Sequence, residues 1–144
     1  MTEDLSLIAD VMDRLRAATG VKDIACHRIA DGKLIPLLKT ETDRLGMERW
    51  KQVHADNPVY IRNDSLLTAL LERPEVVRLD DVANDPRSQE EFFLFGIDSL
   101  MIAPVRRGDE VEGLLIAASI GELHTFTDEE AAAAEELAAL LGDR

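Results

Sequence analysis

The first candidates for a catalytic or cofactor-attaching role are the only cysteine of the chain and the histidine that follows it. Cys26 and His27 stand in the stretch DIACHRIADGKLIPL, residues 23–37. A thiol beside an imidazole could form a nucleophile with its base, or attach a prosthetic group. In a strand, however, successive side chains point to opposite faces, so the two groups cannot act together. We therefore interpret Cys26 as a small buried strand residue and His27 as a surface or rim residue.

Metal ligation is the second chemistry to consider. The three histidines are scattered along the chain, and no HxxH, HExxH or CxxC spacing is present. Asp80, Asp81 and Asp85 could hold a hard cation with their oxygens, but a solvated acidic loop is the interpretation we favour. We predict neither a metal site nor a catalytic residue.

Composition limits the partners. Lys and Arg total 16 against 29 Asp and Glu, so the net charge of -13 repels nucleic acid phosphates and anionic membrane surfaces. A single cysteine cannot form an internal disulfide and suits a reducing compartment. No apolar run approaches the ~20 residues needed to span a bilayer. We expect a cytoplasmic protein without nucleic acid or membrane partners.

The ends of the chain carry the signals of two amphipathic helices. Thr2 is a candidate N-cap for the first, and Gly20 follows its last turn. Thr127 and Glu130 have the spacing of a capping box at the start of the last helix, and Gly142 follows it. Both helices need an apolar surface to cover.

Between these helices the pattern predicts two hairpins and an irregular middle. Asp31-Gly32 separates the runs DIACHRIA and KLIPLLK, and the turn RRGD separates SLMIAPV from EVEGLLIAAS. Residues 40–63 have poor periodicity, with Leu45, Trp50 and Val53 as one face of a short helix. A leucine-rich helix behind Asp64, a strand in EVVRLDDV and a short helix in the phenylalanine cluster follow. This order predicts an α+β fold, with an antiparallel sheet between the terminal helices and the middle segments.

Three segments then resemble a GAF domain. They are SLLTALLERPEVVRLDDVANDPR, FGIDSLMIAPVRRGDEVEGLLIAAS with its second glycine at Gly113, and FTDEEAAAAEELAALL. The resemblance covers about residues 4–141 and implies that the whole chain, 1–144, is a single GAF domain. It implies a PAS-like antiparallel sheet of about five to six strands. It also implies terminal helices on one face and a ligand pocket under the middle segments on the other.

The resemblance leaves the ligand open. GAF domains bind cyclic nucleotides, bilins, haem or other small molecules, and many serve as dimerising regulatory modules. We expect a non-catalytic sensory or regulatory module that binds an unidentified small molecule. A purely structural dimerisation module is the main alternative, ahead of a bilin photoreceptor or a sulfoxide-reductase-like enzyme. Members that bind a bilin attach it through a cysteine on the helical middle segment. Cys26 lies in the first strand instead, so no covalent bilin is expected. The reductases of the family also need further cysteines.

Aromatic and polar residues of the middle and of the fourth predicted strand are the candidate pocket residues. Aromatic rings can stack on a flat ligand, and a guanidinium can pair with a ligand carboxylate or phosphate. The alternative is that these aromatic rings only fill the core. The predicted ligand-binding residues are Trp50, Tyr60, Arg62, Phe92, Phe95, Ser99 and Met101.

A narrow alanine stripe on the last helix suggests close helix packing. It includes Ala131, Ala134 and Ala138, and the stripe on the first helix is wide. We predict a homodimer through the terminal helices, while the alternative is that both faces pack on the chain's own sheet. The chain is either a free-standing domain or part of a longer protein, and a free-standing domain would signal to a separate protein.

Overall fold

A computed structural model describes residues 1–40 and 46–142, so of the predicted helix face Leu45 lies outside the described residues, whereas Trp50 and Val53 lie in a helix. The described strands are β1 (Asp23–Ala30), β2 (Lys33–Lys39), β3 (Val77–Leu79), β4 (Ile97–Arg107) and β5 (Glu110–Ile120). The α-helices are α1 (Leu5–Thr19), α2 (Met47–Asp56), α3 (Ser65–Glu72), α4 (Glu90–Leu94) and α5 (Asp128–Leu141).

The strands form one antiparallel sheet in the order β2-β1-β5-β4-β3. Both predicted hairpins are confirmed, and their turns use the left-handed backbone that such turns require: φ is 54° at Asp31, 74° at Gly32 and 59° at Gly108. The predicted α+β class and the antiparallel sheet are therefore confirmed.

The helix ends agree with the sequence signals, except that the N-cap of α1 lies two residues after the predicted Thr2. Asp4, not Thr2, caps α1, because its carboxylate accepts hydrogen bonds from the backbone N–H groups of Ser6 and Leu7 at 3.0 and 3.4 Å. The Thr2 hydroxyl instead accepts from Asp4 N. The capping box of α5 is present as predicted.

Two apolar layers cover the two faces of the sheet. On one face α1 and α5 pack together over strand residues that include Cys26, Met101 and Leu115. On the other face α3 and the adjoining segments pack over the alternate strand residues, among them Leu100 and Leu114. The strand alternation thus divides the core into a layer under the terminal helices and a layer under the middle segments.

Candidate functional site

A cavity of about 90 Å³ lies in the second layer, between the sheet and the middle helices. Its floor is apolar and comes from the strand residues Leu100, Ile102, Leu114, Ile116 and Ala118. Its walls include Leu34, Trp50, His54, Leu67, Glu91, Phe92 and Phe95, with His27 from β1 and with Asp23, Lys39 and Thr40 also lining it. An apolar cavity with a few polar groups is the usual form of a small-molecule site.

Four rings form a connected cluster in the cavity wall. His27, Trp50 and His54 meet edge to face, with ring centroids 5.0 to 5.4 Å apart. Phe95 stacks on His54 at 5.1 Å with an interplanar angle of 27°. Trp50 and His54 share a face of α2 because they are four residues apart on a helix. Each ring therefore holds its neighbours in place.

The two histidines are neutral and share one hydrogen bond. Their Nε2 atoms are 3.3 Å apart. Burial, assisted by the charge of His54, lowers the pKa of His27 to about 3, and burial lowers the pKa of His54 to about 4. The Nδ1 atom of His27 is buried and has no partner among the described residues. One buried polar atom of a residue that lines the cavity thus lacks the hydrogen bond that buried polar groups normally make.

A carboxyl pair adjoins the ring cluster. Asp64 is the N-cap of α3, where its Oδ1 accepts from Leu67 N at 3.0 Å, and its Oδ2 is buried without a fixed donor. Burial raises the pKa of Glu91 to about 8, and a hydrogen bond to Asp64 and the charges of Asp64 and Glu90 raise it further. The hydrogen bond between the Glu91 and Asp64 side chains requires a proton on one of the two carboxyl groups, because two carboxylates cannot hydrogen-bond to each other. The Glu91 side chain, which lines the cavity, is therefore mostly uncharged at neutral pH.

Three of the seven predicted ligand-binding residues line this cavity: Trp50, Phe92 and Phe95. Tyr60 lines a separate surface groove, and the exposed guanidinium of Arg62 lies 5.0 Å above the Tyr60 ring. These two residues form a cation–π pair outside the cavity.

Ser99 and Met101 require a correction, because the structure places both away from the cavity. Met101 is fully buried under the terminal helices. Ser99 Oγ donates to Asp80 O at 2.7 Å and accepts from His124 N at 2.8 Å, which ties β4 to two loops. The prediction of Ser99 and Met101 as ligand-binding residues therefore assigned the wrong face of β4 to the pocket. The adjacent Leu100 and Ile102 are the residues that line it.

Cys26 and His27 lie on opposite faces of the sheet, Cys26 under the terminal helices and His27 at the cavity. Cys26 is fully buried under the terminal helices, as expected, and burial raises the pKa of its thiol to about 12. His27 is only 4% exposed, so the prediction of a surface or rim position was wrong. The same alternation that separates the imidazole from the thiol turns it into the cavity. The pair offers no activated nucleophile.

The sequence analysis missed His54, Asp64 as a cavity neighbour and Glu91. His54 had a usable signal, since it follows Trp50 by one helical turn. The contact between Asp64 and Glu91 had none, because it joins α3 to α4 across the fold.

The acidic loop is held by its own hydrogen bonds. Asp80 Oδ1 accepts from Phe126 N at 3.0 Å, Asp81 from the Asn84 amide at 2.8 Å, and Asp85 from Arg87 at 2.8 Å. Within residues 1–40 and 46–142, no three His, Cys, Asp or Glu side chains converge as a metal site would require. None of the described helices is both long enough and apolar enough to cross a bilayer.

Comparison with known proteins gives a family and a fold. The family model for the GAF domain matches residues 5–144. No curated protein matches the chain significantly. Among solved structures, a GAF domain/HD domain protein from Geobacter sulfurreducens is 18% identical, with 94% of this chain and 87% of that chain covered and a TM-score of 0.77.

Two further similar structures illustrate different uses of this fold. The blue-light absorbing form of the PixJ GAF domain from Thermosynechococcus elongatus is 13% identical, with 95% and 85% of the two chains covered and a TM-score of 0.65. The type II free methionine-R-sulfoxide reductase from Thermoplasma acidophilum is 18% identical, with 98% and 92% covered and a TM-score of 0.67. At these identities the likeness establishes the fold, not the activity.

Proposed function

This chain belongs to the GAF domain family, and on that premise we propose that it is a non-catalytic sensory or regulatory module that binds a small molecule. The observation that carries the proposal is the apolar cavity whose wall holds a buried imidazole pair with one unpartnered nitrogen. A core that served packing alone would gain nothing from polar atoms there, because burying them without partners costs free energy.

The position and state of the single cysteine support a role without catalysis. Its thiol faces the opposite layer from the cavity and stays protonated, so it cannot attack a molecule bound there. The same placement argues against a covalent bilin. One buried thiol is also consistent with a reducing, cytoplasmic setting, which we propose for this chain.

Dimerisation through the terminal helices is part of the proposal. Ala134 and Ala138 are buried within the chain, where α5 packs beside α1. A partner would therefore contact the outward faces of these helices, on which Leu5 is 54% exposed. A structural dimerisation module without a ligand is the rival that an experiment must separate from the sensor.

A thermal-shift screen with nucleotides, amino acids, tetrapyrroles and small aromatic compounds tests ligand binding. A ligand that binds only the folded state raises the melting temperature as its concentration rises. Trp50 is the only tryptophan and lines the cavity, so ligands that raise the melting temperature should also change its fluorescence. A structural module would show no ligand-dependent shift with any compound.

Two neighbouring phenylalanines provide the matched variants. Phe95→Ala removes a cavity ring that stacks on His54, whereas Phe93→Ala removes a ring that is 57% exposed and outside the cavity. We expect Phe95→Ala to weaken binding of any confirmed ligand by about tenfold, since a stacked ring contributes about 0.5 to 1.5 kcal/mol beyond its buried area. Phe93→Ala should leave the affinity unchanged. Equal effects of both variants would place the ligand elsewhere.

A further inference from the structure

We propose that a surface groove beside α4 is a docking site for another protein, and that it takes a segment in which apolar side chains stand among lysines or arginines. The groove has a volume of about 890 Å³ and is lined by α4 and by residues of the segment 57–64, which connects α2 to α3. The inference goes beyond the proposed function, because it concerns a protein partner and does not depend on a ligand in the cavity.

Two adjacent apolar side chains of α4 are exposed in this groove. Phe93 is 57% exposed and Leu94 is 55% exposed, whereas Phe92 and Phe95 turn to the cavity. Single exposed apolar residues are common on protein surfaces, but adjacent ones beside a groove with a polar rim are typical of an interaction surface. A partner that covers both side chains would remove their apolar area from water, which is a main source of affinity in such contacts.

The charges around the groove are acidic. Its lining includes Asp64, Glu90 and Glu91, and among the described residues that line it none is Lys or Arg. The Asp64 carboxylate is buried and caps α3, so the exposed Glu90 is the charge that a partner can reach. Arg62 lies at one end, where its guanidinium stacks on the Tyr60 ring. A lysine or arginine near Glu90 would gain an opposite charge, whereas an acidic segment would be repelled.

Charge also separates the possible occupants of the groove. A second copy of this chain would bring another net charge of -13, and an anionic membrane surface would be repelled for the same reason. A basic segment with apolar side chains instead meets an opposite charge at Glu90 and an apolar surface at Phe93 and Leu94. Charge complementarity therefore selects the basic segment of another protein.

α4 lies between the groove and the cavity. Glu91 lines both spaces, while the neighbouring Phe92 lines the cavity and Phe93 lines the groove. The helix has only five residues, Glu90–Leu94. A partner docked in the groove would therefore contact the same short element that a molecule in the cavity contacts.

The test measures the binding of three fluorescein-labelled peptides by fluorescence anisotropy, each of about 14 residues or four helical turns. The first peptide has leucines at helical spacing and lysines elsewhere. The second has glutamate in place of lysine, and the third has serine in place of leucine. We expect the leucine-lysine peptide to bind at least tenfold more tightly than either of the others, because it alone supplies both apolar side chains and cations.

Two pairs of variants separate the groove from the rest of the acidic surface. Phe93→Ser should weaken binding of the leucine-lysine peptide at least tenfold, whereas Leu123→Ser, at a residue that is 65% exposed and outside the groove, should not. Glu90→Lys should weaken it about fivefold or more. Glu110→Lys changes the net charge equally at an exposed position outside the groove, so its effect should be smaller.

Four results would overturn the proposal. Absence of binding of the leucine-lysine peptide would remove the docking site. Equal binding of the peptides, or equal effects within each pair of variants, would show that the acidic surface as a whole attracts cations. A dimer that Phe93→Ser dissociates in sedimentation velocity would identify a second copy as the occupant. A compound from the thermal-shift screen that loses affinity with Phe93→Ala would make the groove a small-molecule site.

The two proposals can fail separately. If the groove experiment fails while a compound binds in dependence on Phe95, the sensor proposal stands without this docking site. If the leucine-lysine peptide depends on Phe93 and Glu90 while no compound binds, the docking site stands and the chain is a module that recognises a protein.

Discussion

At the scale of single side chains, the sheet gives Cys26 and His27 opposite surroundings although they are neighbours in sequence. The Cys26 thiol is fully buried and its pKa is raised to about 12 by burial, so almost no thiolate exists at neutral pH. We expect a disulfide reagent to label the folded protein slowly, at a rate limited by opening of the structure. Protein unfolded in guanidinium should label rapidly. Rapid labelling of the native state would contradict the burial of Cys26 under α1.

The buried histidines and Glu91 predict a stability maximum near pH 6.5. The folded-state pKa values of His27 and His54 lie below 6.5, the unfolded value, so their contribution is present above pH 6.5 and is lost as the pH falls. The pKa of Glu91 is raised from 4.5 to about 8, so its contribution is present below pH 4.5 and is lost as the pH rises through 8. Of these three groups, the two histidines outweigh Glu91 below pH 6.5 and make stability rise with pH, whereas above pH 6.5 the Glu91 contribution dominates and makes stability fall.

Denaturant unfolding across pH 5 to 8.5 measures this profile, with slopes of at most about 1.4 kcal/mol per pH unit for each site. The Glu91 slope should be smaller, because its carboxyl is partly exposed and solvent screens it. Glu91→Gln should flatten the profile above pH 6.5, and His27→Phe should reduce the slope below it. Glu72→Gln is the control for loss of one carboxyl group on an exposed helix position. A monotonic profile in the unaltered protein would refute the assigned directions.

At the scale of elements, the approach of β5 to β1 depends on a residue without a side chain. Gly113 pairs with Arg28 of β1, and a Cβ atom placed on it would lie 2.7 Å from the His27 carbonyl oxygen and would also contact Met1 Sδ. The Met1 side chain can move, but the strand carbonyl is held in the sheet. Gly113 therefore has a packing reason to be glycine.

Gly113→Ala should lower the free energy of unfolding by about 1 to 3 kcal/mol, the usual cost of overpacking a buried position. Because the displaced carbonyl belongs to His27, the variant should also weaken ligand binding in the cavity. Glu110→Ala at the exposed start of the same strand lies outside the cavity lining, so it is the control and should change neither quantity much. Denaturant titration measures the first effect, and titration of a ligand from the thermal-shift screen, followed by Trp50 fluorescence, measures the second. An unchanged midpoint for Gly113→Ala would show that β1 can yield at this point.

The elements also show which features the sequence could predict. The turn at Asp31-Gly32 and the capping box at Thr127 and Glu130 are local signals, so they predicted a hairpin and a helix that the structure confirms. The choice of face on β4 was beyond local pattern, because Met101 and Leu100 are both apolar and only the elements packed above them tell the two faces apart. Trp50 could be chosen as a candidate from its residue type alone. The contact between Asp64 and Glu91 could not be predicted, because it joins two elements that are distant in sequence.

At the scale of the whole molecule, the terminal helices are the surface on which dimerisation must be tested. Their apolar stripes face the chain's own sheet, so a second copy would meet outward faces that carry Leu5 and mostly charged or small side chains. Each copy has a net charge of -13. Two copies therefore repel each other, and the repulsion is screened beyond about 10 Å at 0.1 M salt.

Sedimentation velocity at increasing sodium chloride should show a dimer fraction that rises with salt. Leu5→Glu should weaken the dimer by at least tenfold, because it replaces an apolar contact worth about 1.5 to 3 kcal/mol with a charge in an already acidic surface. Leu123→Glu adds the same charge at a residue that is 65% exposed but lies outside both helices, and it should leave the dimer intact. A dimer that resists Leu5→Glu but dissociates with Leu94→Glu would move the interface to α4, beside the cavity. In that case ligand binding and dimerisation would share one surface and should respond to each other.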